Sequence, residues 1–335
     1  MRRHSIFWSL SLLLLLTLRV GASEIPPLRI AVLDTVHLES GEHLQNAKVG
    51  YRTKGTLNKE KSNAVLYLTW FGGTSEDLFK YGVINVVDTT QFFLVVVDAF
   101  GNGISSSPSN HPDFPRITIG DMVKAQHQLL TQSLDIPSLH AVMGTSMGGM
   151  QTFEWVTQFP TFMDRAITIV GSPRPAAYDQ LLWQTQLQAI TQAADAGNAE
   201  EAAAMVGMIS TLALHTPQYH ALHTPVSQAG SFIHAAQTGV SRSMRDTAAQ
   251  LDAMLSHDIS RRAGNDITAA AKSIQARMLN IVDRQDHMVT PEPALQLSTL
   301  LGAETLVLDT HCGHMTTRCE GERIDRAIRQ FLSAH

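Results

Sequence analysis

VMGTSMGGMQ, Val142 to Gln151, sets Ser146 between two glycines, Gly144 and Gly148, each two residues away. Ahead of it, LHAVM (Leu139–Met143) has the length and apolarity of a buried strand, and MQTFEWVTQF (Met150–Phe159) after it is amphipathic at helical spacing. A serine on a sharp strand-to-helix turn of the G-x-S-x-G type presents its hydroxyl as a nucleophile. A glycine-rich turn without chemistry would need neither flank. A strained serine leaves little room for side chains two positions away, which favours glycine at both places. Ser146 is therefore the candidate nucleophile.

Outward from this turn, short apolar runs recur at Ala64–Leu68, Phe92–Val97, His140–Met143, Ala166–Val170, Leu279–Val282 and Thr305–Leu308. Several are continuous rather than alternating, as expected of strands buried on both faces of a mostly parallel sheet. Ile119–Leu134, Gly149–Gln158 and Glu322–Ser333 read as covering helices. The plan is α/β. Leu28–Asp34 and Ala47–Thr53, joined by the polar turn ESGEH, read as antiparallel edge strands. After Pro173 the alternation stops until about Met278, and the interval is helical in pattern at Tyr178–Ala194, Glu200–Leu214 and Ser241–His257. Residues 174–277 are expected to form a cap inserted into a core of residues 23–173 and 278–335. An insert of this kind stands above the strand ends, where open α/β sheets bind ligands.

A serine hydroxyl needs a base, and the base needs an orienting acid. LNIVDRQDHMVTP (Leu279–Pro291) ends a strand with Asp283 and Asp286, and LVLDTHCGHMTTRCE (Leu306–Glu320) ends another with His311 and His314. Asp286 is favoured because it lies in the loop beyond the strand, with Asp283 as the alternative that could equally cap the turn. His314 is favoured as the base over His311, which sits closer to its strand. The developing oxyanion needs two donors. The backbone N–H groups of Met147, directly after the serine, and of Phe71, in the Phe71-Gly72-Gly73 loop after a strand, are the candidates.

The 335 residues are 44% hydrophobic and 16% charged, which suits a large buried core and argues against disorder or nucleic-acid binding. Residues 1–22 stand apart, with Arg2 and Arg3 ahead of the run Ile6–Leu18 and small residues at Gly21 and Ala22. They read as an export signal cut after Ala22, too short for the roughly 20 apolar residues of a membrane span. Cleavage removes three arginines and no acid, taking the formal net charge from −5 to −8. The mature chain is expected to be periplasmic or secreted, without stable membrane insertion. Cys312 and Cys319 could pair there, although spacing alone does not decide it.

Asp98–Gly103 reads as a structural turn, since G-x-G without a third spaced glycine is weak evidence for a dinucleotide site. His215, His220, His223 and His234 match no compact ligand motif, so no metal is assigned. Met143, Met147 and Met150 read as pocket or core filling.

Taken together, NAVLYLTWFGG, GTSMGGMQTFEWVTQFP, DRQDHMVTP and CGHMTTRCE resemble the α/β-hydrolase superfamily, and within it the homoserine O-acetyltransferase branch. The similarity runs from about residue 28 to 175 and again from 278 onward. The resemblance implies Ser146 as nucleophile, Asp286 and His314 as its partners, Phe71 and Met147 as the oxyanion hole, and a helical lid at the inserted cap. The branch carries an arginine-containing lid motif that holds the amino-acid acceptor, and Met205–Tyr219 contains no arginine. An exported chain would also not meet cytosolic acetyl-CoA. The expectation is therefore an exported serine hydrolase acting on a small-molecule carboxylic ester through an acyl-serine, without a cofactor. O-acyl transfer is the alternative, and a non-catalytic binding protein on the same fold is a further one.

Overall fold

The computed structural model describes residues 25–334, so the segment read as an export signal lies outside the described residues. Eight strands form one sheet in the order β1-β2-β4-β3-β5-β6-β7-β8. β1 (Arg29–His37) and β2 (His43–Lys54) make an antiparallel hairpin at the edge, and β2 is also antiparallel to β4 (Phe93–Val97). β3 (Ala64–Leu68), β5 (Leu139–Thr145), β6 (Met163–Ile169), β7 (Arg277–Asp283) and β8 (Glu304–Leu308) continue from β4 in parallel.

Side chains alternate across each strand, and in the central strands both sets are buried. Leu66 and Leu68 of β3 join Val142 of β5 in one apolar cluster, whereas Val65, Tyr67 and Met143 belong to a second. The first face is covered by α2 (Ile119–Gln128), α3 (Met147–Gln158) and α10 (Glu292–Leu301). The second is covered by α1 (Ser75–Lys80) and α12 (Gly321–Ser333). Helix α12 buries Ile324, Ile328, Phe331 and Leu332, an i, i+4, i+7, i+8 stripe that fits a single sheet-facing side. Thr118 and Asp121 cap α2 reciprocally, each side chain accepting from the other's backbone N–H. After Gln128 this helix loosens into a wider turn over Leu129–Ser133.

Between β6 and β7 stand α4 (Ala177–Asp195), α5 (Ala203–Leu214), α6 (Pro217–His223), α7 (Ala229–Thr238), α8 (Met244–Leu255) and α9 (Ile267–Ser273). Helix α9 and the turn Ile259–Ala263 pack against α3, and α9 also meets α10, in the layer that flanks the sheet. Arg262 fastens this segment by pairing with Glu154 of α3 and with Glu39. Helical periodicity cannot tell a lid helix from a sheet-flanking one, because each buries one stripe. None of the helices in the described residues is long and apolar enough to cross a membrane.

The Asp98 loop is knitted together internally. Asp98 accepts from the Ser75 N–H and hydroxyl, each at 2.7 Å, and from Asn102 Nδ2 at 2.9 Å. Burial pushes the Asp98 carboxyl above its ordinary pKa, and these donors partly offset the shift.

Candidate active site

Ser146 joins β5 to α3 with φ 58° and ψ −121°, a positive φ that costs a non-glycine residue about 1–3 kcal/mol. The backbone around it compensates. Its N–H donates to Ile169 O at 2.8 Å, and its carbonyl accepts from Met150 N at 3.0 Å. The flanking glycines are sterically required. A Cβ at Gly144 would collide with the Gly148 backbone, and one at Gly148 would meet Leu68 O at 2.5 Å. Both clashes are with backbone, which cannot swing aside. Gly148→Ala is expected to lose about 1–3 kcal/mol of stability, read as a lower denaturant midpoint.

The candidate acid and base come from the loops after β7 and β8. His314 Nε2 lies 2.9 Å from Ser146 Oγ, and His314 Nδ1 lies 2.7 Å from Asp286 Oδ2. All three side chains are buried. Asp286 Oδ1 accepts from the N–H groups of Met288 and Val289 at 2.8 and 2.9 Å, which fixes its second oxygen toward the imidazole. A carboxylate only accepts, so Nδ1 carries the proton and Nε2 is left to accept from the serine hydroxyl.

The two alternatives are occupied otherwise. Asp283 accepts from Gln285 N and from the Thr310 N–H and hydroxyl, tying the β7 and β8 ends together. The His311 side chain is exposed, and its carbonyl accepts from Thr216. Cys312 and Cys319 are joined in a disulfide that spans the short α11 (Thr316–Cys319) and brackets His314.

Met147 is the first residue of α3, where backbone N–H groups have no intrahelical acceptor. Phe71 lies in a turn closed by Gly73 N donating to Trp70 O at 3.0 Å. Phe71, Ser146 and His314 line one cavity of about 820 Å³, roofed by residues of α4, α5, α7 and α8 such as Trp183, Leu214, Ala236 and Met254. Met147 and Met150 are fully buried in the core, as is Met143 on the opposite face of the sheet.

Gln250 was not singled out by the sequence. Buried on α8, it accepts from Gly72 N at 2.8 Å and donates to Phe100 O at 2.9 Å, so the lid helix holds the Phe71 turn. A glutamine on the same stripe as Leu251 and Met254 is the signal that could have found it, since buried polar groups are there to be paired. Gln250→Leu would strand one N–H and one carbonyl. It is expected to lower kcat about tenfold or more with a smaller change in KM, measured by steady-state kinetics.

The lid histidines pack as rings. His215 stacks on Tyr219 at 4.1 Å, His223 lies tilted 4.5 Å from the same ring, and His220 Nδ1 meets Thr224 Oγ1 at 3.2 Å. Burial, with His220 and Arg318 nearby, pushes His215 down to about 4. Among the described residues no group of three or more His, Cys, Asp or Glu is placed to hold a metal ion.

A buried Ser-His-Asp relay at the carboxyl ends of parallel strands, under a helical lid, has the geometry of a catalytic triad. The chain belongs to the alpha/beta hydrolase fold family, which residues 63–317 match. It is 38% identical to an ethyl acetate hydrolase of Pseudomonas veronii over 173 residues, 49% of this chain and 50% of that protein. Over 174 residues it is 38% identical to a homoserine O-acetyltransferase of Citrifermentans bemidjiense, covering 44% of this chain and 47% of that one. The chain thus spans about half the length of the curated relatives it matches. The solved acetyl esterase MekB superposes with a TM-score of 0.85 at 26% identity, over 92% of this chain and 97% of that one.

Proposed function

We propose that this chain is a serine esterase that cleaves small carboxylic esters through an acyl-serine. The observation that carries the reading is the continuous relay from Ser146 Oγ through His314 to Asp286, at 2.9 and 2.7 Å, opening into the cavity under the lid. The likeness to esterases lends support.

His314 Nε2 takes the hydroxyl proton as Ser146 Oγ attacks the ester carbonyl carbon, and Asp286 stabilises the imidazolium without taking its proton. The Met147 and Phe71 N–H groups hold the oxyanion. As the tetrahedral centre collapses, His314 returns the proton to the departing alkoxide, leaving an acyl-serine. Water then gives a proton to Nε2, and its oxygen adds to the acyl carbon. Ser146 Oγ leaves with that proton and the carboxylic acid is released.

Transfer to an alcohol shares every step before water enters, and the homoserine O-acetyltransferase relatives favour it as the second reading. Stopped-flow assay with p-nitrophenyl acetate, with and without an added alcohol, tests both. A burst of p-nitrophenol equal to the enzyme concentration is expected. Acetate as the product in the presence of alcohol supports hydrolysis, and acetylated alcohol supports transfer. Absence of a burst, together with no labelling of Ser146 by a serine-directed phosphonate, would overturn both.

The segment 1–22 supports export of the mature chain, and a disulfide beside the site suits an oxidising compartment. N-terminal sequencing of protein recovered outside the cytoplasm should begin at Ser23; an intact Met1 would overturn this.

A further inference from the structure

The inner face of α4 is a stripe of Asp179, Trp183, Gln186 and Ile190, the residues that this helix buries. The two ends of the stripe are accounted for. Asp179 accepts from Ala176 N and from the Thr290 N–H and hydroxyl, and Ile190 has nothing to pair. The middle is different. Trp183 and Gln186 are each only 1% exposed, and neither Trp183 Nε1 nor Gln186 Oε1 makes a hydrogen bond. Of the buried side-chain nitrogen and oxygen atoms that lack a partner among the described residues, these two are the ones on residues that line the cavity.

Between α2 and α3 the chain also buries a tryptophan and two glutamines, and there they are paired. Trp155 Nε1 donates to Gln126 Oε1 at 2.8 Å, Gln126 Nε2 to Gln151 Oε1 at 2.6 Å, and Gln151 Nε2 to Thr69 O at 3.0 Å. A buried donor or acceptor left open is costly, so an indole N–H and an amide oxygen three residues apart on one helix face point to a ligand that completes them. Leu214 of α5, Leu251 and Met254 of α8 and Met288 line the same cavity and offer nothing to pair with. Both open groups are neutral, and a charge brought out of water against neutral partners would be poorly held.

We propose that Trp183 and Gln186 form a subsite for a hydroxyl group of the substrate, which accepts from Trp183 Nε1 and donates to Gln186 Oε1 while Ser146 attacks the ester. A hydroxyl completes both groups with one oxygen, whereas an ether or ketone oxygen only accepts and would leave Gln186 open. The subsite rests on the esterase reading and deepens it by naming a feature of the substrate. The hydroxyl can sit on the acyl side, as in an ester of a hydroxy acid, or on the alcohol side, as in a monoester of a diol.

Matched esters in which a methyl group replaces the hydroxyl test it and separate the two sources. On the acyl side, ethyl 3-hydroxybutanoate is compared with ethyl 3-methylbutanoate, and ethyl 6-hydroxyhexanoate with ethyl heptanoate. On the alcohol side, 2-hydroxyethyl acetate is compared with propyl acetate, and 6-hydroxyhexyl acetate with heptyl acetate. The parent is expected to show kcat/KM at least about tenfold higher for the hydroxyl member of one pair, and that pair identifies the source. Trp183→Phe and Gln186→Met are each expected to bring the ratio to about one or below. The thermal midpoint of Gln186→Met should equal or exceed the parent's, because the substitution removes a polar atom that nothing in the protein pairs. A parent ratio below about tenfold in every pair would overturn the proposal, as would variants that keep the parent ratio. So would a Gln186→Met protein that loses rate equally on both members of a pair and melts well below the parent, since that is the signature of a glutamine that only supports the lid.

A chain that hydrolyses the methyl members without preferring the hydroxyl members is an esterase that lacks the subsite. If no ester is turned over, the esterase reading fails and binding decides the subsite by itself. Calorimetry of the hydroxyl esters with Ser146→Ala, and with Ser146→Ala carrying Gln186→Met, gives that answer. Binding weakened at least about tenfold by loss of the glutamine supports the subsite, and equal binding, or none in either protein, overturns it.

Discussion

Ser146→Ala is expected to lower kcat for p-nitrophenyl acetate by at least about 10⁴-fold and to abolish the burst, while leaving the thermal midpoint within a few degrees of the parent. The substitution removes one oxygen and keeps the Cβ. The positive φ of residue 146 and the hydrogen bonds of its backbone to Ile169 and Met150 are therefore retained. What disappears is the atom 2.9 Å from His314 Nε2. Rate loss with unchanged stability assigns the effect to chemistry rather than folding. A variant that kept the parent rate would remove Ser146 from the mechanism, whatever its geometry.

Asp286→Asn is expected to cost about 10³–10⁴-fold in kcat with little change in KM. Asparagine can still accept from the Met288 and Val289 N–H groups through its carbonyl oxygen. Its amide group then faces His314 Nδ1, which must give up its proton to accept. The proton moves to Nε2, and the nitrogen facing Ser146 Oγ can no longer act as a base. Asp283→Asn provides the comparison. Its carboxylate holds Thr310 and the β7 turn, so its loss should lower stability with a much smaller effect on kcat at a temperature where the protein is folded. A rate loss as large in the second variant as in the first would reverse the assignment of the two aspartates.

The parts of this architecture legible in the amino-acid sequence share a physical cause. β3 and β4 are buried on both faces, so Ala64–Leu68 and Phe93–Val97 are continuous apolar runs. The turn around Ser146 was legible because Gly144 and Gly148 are dictated by backbone contacts within the motif itself. Asp286 and Asp283 are three residues apart at one strand end, and their separation into two roles depends on which N–H groups each accepts, which spacing does not encode. The lid was harder. Met205–Tyr219 contains no arginine, whereas Arg242 reaches the cavity from the segment ahead of α8 and stacks on a ring 171 positions earlier in the chain. Such a contact is created by how the lid sits on the sheet. Gln250 escaped for a related reason, as its partners Gly72 and Phe100 lie in two separate loops of the core.

The sequence separations within the relay have a bearing on biogenesis. Ser146 and His314 are 168 positions apart, and Asp286 precedes the histidine by 28. A ribosome delivers the nucleophile first and the base last, and all the lid helices are made in between. Until β7 and β8 have added to the sheet edge beside β6, the serine hydroxyl has no base and remains an ordinary alcohol. On the proposed mechanism, reactivity is withheld from every partly folded form that lacks those two strands, and its return on refolding would report the docking of the last part of the sheet rather than the formation of the turn at Ser146.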